Sequence, residues 1–197
     1  TLANDPCYIT YTSGTTGNPK GVLHAHRSIL GREPSTKFWL NLNQEDMVFN
    51  PGKLNWTYTL GAGCLDCLRY GSTAVIYSGN HSINNYLEII NDSKITIFMT
   101  VPGIYRQILR EINTDIKKTK KLMKVKNFLS AGEHLKKEII IEWKKKLNKY
   151  IYEGLGMSEI SYFISNNPME KLFPGSCGKV QPGHSAYLVD NKYNKIP

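Results

Sequence analysis

Tyr11-Thr12-Ser13-Gly14-Thr15-Thr16-Gly17-Asn18-Pro19-Lys20-Gly21 gathers three glycines, four aliphatic hydroxyls and one lysine into eleven residues. The run Cys7-Tyr8-Ile9-Thr10-Tyr11 leads in and Gly21-Val22-Leu23-His24 leads out, so the stretch reads as a loop between two strand-like segments. Gly14 and Gly17 permit positive φ and a close approach of backbone to a ligand. Exposed N–H groups, hydroxyls and the Lys20 ammonium suit a polyphosphate. The loop is not a Walker A motif, which needs Gly-x-x-x-x-Gly-Lys-Ser/Thr opening a helix. Here Asn18 and Pro19 separate Gly17 from Lys20, and Pro19 has no N–H to offer. A polar turn without a ligand is the plain alternative for such a composition.

Outward from the loop the pattern alternates. Helices are predicted over 27–40, over 58–69 with Gly61 and Gly63 inside it, over 102–112 opened by Pro102, and over 136–149. A further helix is capped by Ser82 and carries Ile83, Tyr86, Leu87 and Ile90 at helical spacing. Strands are predicted over 47–50, 73–77, 95–99, 126–130 and 186–190. Strand–helix alternation argues for an α/β fold, a largely parallel sheet covered by helices. Ligands in such sheets bind beyond the carboxyl ends of the strands. The segments 50–56, 130–134 and 153–159 should therefore converge on the loop.

The chain of 197 residues is 41% hydrophobic and 21% charged, which suits one substantial soluble domain. It contains no apolar run long enough for a membrane span. The net charge of +9 raises nucleic-acid binding as a question. The lysines cluster at 117–126 and 136–149. The second cluster lies opposite an apolar face of Ile140, Trp143, Leu147 and Ile151, and the first has no interleaved aromatics for base stacking. Solvated surface is the better account, and no nucleic acid is expected. Cys64-Leu65-Asp66-Cys67 has redox or zinc-half-site spacing, but no second such pair exists. His24 and His26 share one strand face, and two ligands do not make a zinc site. Ordinary packing is expected for both pairs. Four scattered cysteines fit a reducing, cytoplasmic compartment.

The eleven-residue loop resembles the phosphate loop of the adenylate-forming (AMP-binding) enzymes: acyl-CoA synthetases, luciferases and peptide-synthetase adenylation domains. Two more stretches resemble that family. Ser130-Ala131-Gly132-Glu133-His134-Leu135 is similar to its segment on the adenine side. Tyr152-Glu153-Gly154-Leu155-Gly156-Met157-Ser158-Glu159 is similar to its Tyr-Gly-x-Thr-Glu segment. The stretches Ser165-Asn166-Asn167-Pro168 and Pro174-Gly175-Ser176-Cys177-Gly178-Lys179, followed by Pro182-Gly183, most resemble the benzoate-CoA ligase branch.

The resemblance implies ATP as substrate, Mg²⁺ as cofactor, CoA as co-substrate and a small carboxylic acid to be activated. It implies phosphate contacts from Thr12, Ser13, Gly14, Thr15, Thr16, Gly17 and Lys20, and an adenine side built from Ala131, Gly132, Glu133, Leu155 and Gly156. Ser158 stands where the family contacts the α-phosphate, and Glu159 where it engages Mg²⁺. Lys20, Ser158 and Glu159 are the implied catalytic set. From the residues alone, Ser158 also reads as an N-cap and Glu159 as a solvated carboxylate at a helix start. Asn55-Trp56-Thr57-Tyr58 falls where the superfamily builds its acyl pocket, with Trp56 and Tyr58 as the candidate wall. Both are equally open to a reading as core aromatics. No Asp stands there to hold an α-ammonium, which favours an acid without one.

The resemblance runs from Asp5 to Asp190. It implies that residues 1–197 are part of the family's large N-terminal domain. The ribose-holding Asp, the hinge and the small C-terminal lid domain with its own catalytic lysine lie outside the chain. Lys20 is not that lysine. An adenylation enzyme loading a carrier-protein thiol, and a nucleotide-binding module without catalysis, remain alternatives to a CoA ligase.

Overall fold

The structure is a computed structural model that describes residues 1–12 and 17–196. The chain opens with a two-stranded antiparallel ribbon of β1 (Pro6–Thr12) and β2 (Lys20–Ala25). These are the two strand-like segments expected around the loop. The helix predicted over 27–40 is broken into α1 (Arg27–Gly31), α2 (Glu33–Ser35) and a wider π-helical turn Thr36–Leu40. It ends at Asn41 with φ of 50°.

Strands and helices then alternate. β3 (Met47–Phe49) leads to a π-helical segment Tyr58–Leu65 and α3 (Asp66–Tyr70). β4 (Thr73–Val75) precedes α4 (Ile83–Asp92), whose Ser82 cap accepts from the Asn85 N–H at 3.2 Å. β5 (Ile97–Thr100) runs into α5 (Pro102–Thr114), opened by Pro102 as expected. A 3₁₀ turn (Ile116–Lys118) and α6 (Thr119–Leu122) lead to β6 (Asn127–Ala131) and α7 (Lys137–Leu147). The last strands are β7 (Ile151–Met157), β8 (Ser161–Ser165) and β9 (Lys179–Val180).

The main sheet has the order β4-β3-β5-β6-β7-β8-β9. β4, β3, β5, β6 and β7 are parallel, and β8 and β9 return antiparallel. Alternate side chains of each strand face opposite layers. Phe49, Phe98 and Phe128 pack with Tyr86, Ile108 and Trp143 from α4, α5 and α7. Val48, Ile97, Met99 and Leu129 pack on the other side with Trp39, Tyr58 and Cys67. β5 and β6 are buried along their whole length, as strands covered on both faces must be. The lysines of α7 lie opposite its buried Ile140, Trp143 and Leu147, which bears out the solvated-face reading.

Two expectations fail locally. Residues 186–190 form no strand; Val189 makes a single bridge to Lys195, around a turn in which the Asp190 carboxylate accepts from the N–H groups of Lys192 and Asn194 at 2.8 and 2.9 Å. No main-sheet strand pairs with that hairpin among the described residues. The segment 153–159, expected to follow a strand, is itself mostly strand, because β7 continues to Met157 and turns only at 158–160. No helix among the described residues is long and apolar enough to cross a membrane.

Candidate active site

Strand pairing fixes the base of the glycine-rich loop. Thr12 and Lys20 are register partners at the open end of the ribbon. The lysine is therefore placed by backbone hydrogen bonds, while its side chain stays exposed. Gly17 has φ of 89°, the positive value expected of it. Ser13, Gly14, Thr15 and Thr16 lie outside the described residues.

Opposite the ribbon, the turn at 158–160 joins β7 to β8. No helix starts there, so the helix-cap alternatives for Ser158 and Glu159 fall away. Glu159 is exposed, and the Ser158 Oγ sits 3.4 Å from the Thr57 Oγ1. The third wall comes from the carboxyl ends of β3 and β6. Trp56 follows β3, and its indole lies over Gly132, the residue after β6. Together these groups surround a cavity of about 520 Å³ lined by Thr12, Lys20, Trp56, Thr57, Gly132, Gly156, Met157, Ser158, Glu159, Ser161 and Tyr162. The expected convergence of the loop with 50–56, 130–134 and 153–159 is thus present.

A neighbouring cavity of about 320 Å³ shares Gly132 and Gly156 and adds Glu133, His134, Glu153, Gly154, Leu155 and Cys177. Glu153 is buried there. Its Oε1 accepts from the Leu135 N–H at 2.8 Å, and its Oε2 has no partner among the described residues. Leu155 is exposed and offers an aliphatic surface. Ala131 is buried in β6 and lines neither cavity.

The two aromatic candidates separate. Trp56 is 38% exposed and lines the larger cavity, whereas Tyr58 is 1% exposed and does not. Tyr58 packs edge-on behind Trp56 at 5.3 Å between ring centroids and also touches Trp39 and Tyr162. Burial, with smaller contributions from Tyr162 and Tyr105, raises its phenol well above the ordinary value, so it stays neutral. It supports the pocket wall from within the core.

One member of each pair, histidine and cysteine, has a packing partner. His24 stacks on Tyr8 at 4.6 Å. The four cysteines are free. Burial pushes the Cys67 thiol up to about 12, and its S–H points to the carbonyls of Ala62 and Gly63. No group of three metal-ligating side chains occurs among the described residues.

Chemically, the ribbon presents an ammonium to the larger cavity, the turn opposite it a carboxylate, and the third wall an aromatic face. Lys20 can meet a phosphate, Glu159 a hard cation, and Trp56 an apolar group. The chain matches the AMP-binding enzyme family over residues 1–197.

It belongs to that family.

Among curated relatives of this AMP-binding chain, the 3-hydroxybenzoate–CoA ligase of Aromatoleum sp. (strain CIB) is 31% identical over 196 residues, covering 96% of this chain and 37% of the relative. The acetyl-coenzyme A synthetase of Bacillus subtilis (strain 168) is 31% identical over 194 residues, covering 98% and 34%. Among solved structures, the anthranilate CoA ligase AuaEII in complex with anthranoyl-AMP superposes with a TM-score of 0.89 at 31% identity, covering 99% of this chain and 37% of that one. A benzoate CoA ligase from Burkholderia xenovorans LB400 gives 0.86 at 25%, covering 100% and 39%. The chain spans about a third of the length of the curated relatives it matches. The family and the α/β architecture read from the sequence are borne out.

Three lining residues of this AMP-binding chain carried no sequence signal of their own. Thr57 stood unremarked between Trp56 and Tyr58. Ser161 and Tyr162 enter because β8 reverses directly after Glu159. A strand period of two after the turn was the one available hint.

Proposed function

We propose that the protein carrying this chain activates a carboxylic acid with ATP and transfers the acyl group to CoA. We read residues 1–197 as part of its adenylation domain, in keeping with the share of the relatives that they span. The observation that carries this reading is a single cavity lined by Lys20 from the ribbon, Glu159 from the turn opposite it and Trp56 over Gly132.

The acid enters ionised, since carboxylic acids titrate near pH 4 (about 4 for ordinary side-chain carboxyls). No side-chain base is needed. A carboxylate oxygen forms a bond to the α-phosphorus of ATP, and the bond from that phosphorus to the bridging oxygen breaks, releasing pyrophosphate. The CoA sulfur then bonds to the acyl carbon, AMP leaves with the acyl oxygen, and the thiol proton passes to solvent. Lys20, held by its strand partner, offers a fixed positive charge to the phosphates as negative charge shifts onto the leaving group. Ser158 offers a hydroxyl beside Glu159.

The residues present fit a divalent cation. The Glu159 carboxylate would hold it, with remaining ligands from phosphates and water, as Mg²⁺ prefers. When bound, Mg²⁺ supplies charge neutralisation at the phosphates. On the adenine side, Leu155 offers an exposed aliphatic surface to a purine face. Trp56 faces the acid. Among the described residues lining the cavity Glu159 is the one carboxylate, and giving it to the cation leaves none for an α-ammonium, which favours an acid without one.

The test is a carboxylic-acid panel with the whole protein, ATP, Mg²⁺ and CoA, reading AMP. Acid- and CoA-dependent AMP formation is expected. Acid-dependent pyrophosphate exchange with no CoA dependence would move the acceptor away from CoA. No exchange with any acid would overturn the reading.

A further inference from the structure

The turn that carries Ser158 and Glu159 is gripped from its far side. Arg32, between α1 and α2, is only 6% exposed, and Asp66 at the start of α3 is fully buried. They form a two-pronged pair: Nε to Oδ1 at 2.7 Å and Nη2 to Oδ2 at 2.9 Å. The remaining arm, Nη1, donates to the Ser161 Oγ. Burial alone would lower the Arg32 pKa, but the pull of Asp66 outweighs it and raises the value, so the guanidinium keeps its charge.

A buried ion pair is a weak source of stability, because desolvation offsets much of the attraction and packed apolar side chains often serve as well. What an apolar pair cannot do is aim an N–H at one hydroxyl. The site is built for that aim. A Cβ on Gly61 would lie 2.5 to 2.7 Å from the guanidinium, so Gly61 leaves the floor flat beneath it. Ser161 sits in the left-handed region with φ of 64°, which a non-glycine residue keeps only when its surroundings demand it. A Cβ on Gly156 would lie 2.4 Å from the Ser161 carbonyl oxygen, so the strands cross too closely for any side chain there. Met157 and Ser161 are register partners, and 158–160 hang between them. Behind the turn is a separate cavity of about 160 Å³ walled in part by His24, Ser28, Arg32, Glu159 and Ser161. The His24 Nε2 and Ser28 Oγ have no partners among the described residues. That hollow lies against the turn, and Arg32 and Ser161, joined by their hydrogen bond, are both in its wall.

We propose that Arg32, locked by Asp66, is a positioning residue that holds Ser161 and thereby sets where Glu159 meets a divalent cation. The proposal rests on the role of Glu159 given above.

Ser161→Gly isolates the link. Glycine accepts the left-handed φ and leaves the Arg32–Asp66 pair whole, but removes the acceptor. Ser161→Asn keeps tolerance of that φ and restores an accepting oxygen. The first readout needs no turnover: Mn²⁺ binding in the presence of a non-hydrolysable ATP analogue, followed by paramagnetic relaxation of water protons. The second is acid KM from pyrophosphate exchange. Ser161→Gly should weaken Mn²⁺ binding by roughly tenfold or more, with a smaller change in acid KM and melting close to the parent. Ser161→Asn should recover part of the loss. Parent-like Mn²⁺ binding in Ser161→Gly overturns the proposal, as does an equal loss in acid KM. Glu159→Gln is measured alongside. If it too binds Mn²⁺ like the parent, the metal role of Glu159 fails and the positioning claim with it. If Glu159→Gln weakens binding and Ser161→Gly does not, only the positioning claim falls.

Discussion

Trp56 and Gly132 fit together as ring and floor: a Cβ on Gly132 would lie 2.9 Å from two carbons of the indole, and Gly132 holds φ of 90°. Gly132→Ala meets both obstacles at once. Forcing alanine into that region costs about 1–2 kcal/mol, and the new methyl pushes the indole into the cavity. A drop in stability of that order by urea unfolding should accompany an altered acid profile. Parent-like values for both would mean that the ring moves aside without consequence.

Trp56→Ala takes the ring away and leaves the floor. The site should then lose preference for a snug acid and admit a bulkier one, within the roughly 1–3 kcal/mol typical of apolar pockets. The ATP KM should hardly change, because Lys20 and Glu159 are untouched. Acid preference and ATP KM, measured together, decide it. An unchanged acid profile would return Trp56 to the company of Tyr58 as a core aromatic.

Lys20 and Glu159 differ in what can replace them. Lys20→Ala should slow acid-dependent pyrophosphate exchange by on the order of 10²–10³, as for loss of one preorganised electrostatic donor. Glu159→Gln keeps the shape, but an amide oxygen is a poorer ligand for a hard cation. Raising Mg²⁺ should restore part of the Glu159→Gln rate and none of the Lys20→Ala rate. Both variants should keep the parent's circular dichroism, since both side chains are exposed. Near-parent exchange in Lys20→Ala would remove the lysine from the phosphate site.

The buried Cys67 thiol should be chemically quieter than Cys64. Burial pushes Cys67 up to about 12 and raises Cys64 more modestly. A thiol alkylates as its thiolate, so near neutral pH Cys67 should resist iodoacetamide in the folded protein and react only after denaturation. Cys7, Cys64 and Cys177 are partly exposed and should label first. Rapid native labelling of Cys67, located by peptide mapping, would contradict its burial.

The sequence made the alternation legible because helical and strand periods leave different apolar spacings. Ser82, Pro102 and the loop glycines marked boundaries by their own backbone chemistry. It did not show the widened helical turns at Thr36–Leu40 and Tyr58–Leu65, because one extra residue per turn blurs a period without erasing it. Trp56 and Tyr58 could not be told apart, since which of two near neighbours faces a cavity depends on what packs behind them. The grip on the turn was out of reach altogether. Arg32 lies 34 residues from Asp66 and 129 from Ser161, and polar partners so far apart leave no local pattern.

The ribbon of β1 and β2 stands outside the seven-stranded sheet and, among the described residues, pairs only with itself. A two-stranded ribbon has little stability of its own, and Ile9, Tyr11 and Leu23 are all more than half exposed. Its amides should therefore exchange with deuterium well before those of β5 and β6. The two charges facing the cavity then differ mechanically. Glu159 is carried between two strands of the main sheet, while the place of Lys20 depends on its pairing with Thr12 inside the ribbon.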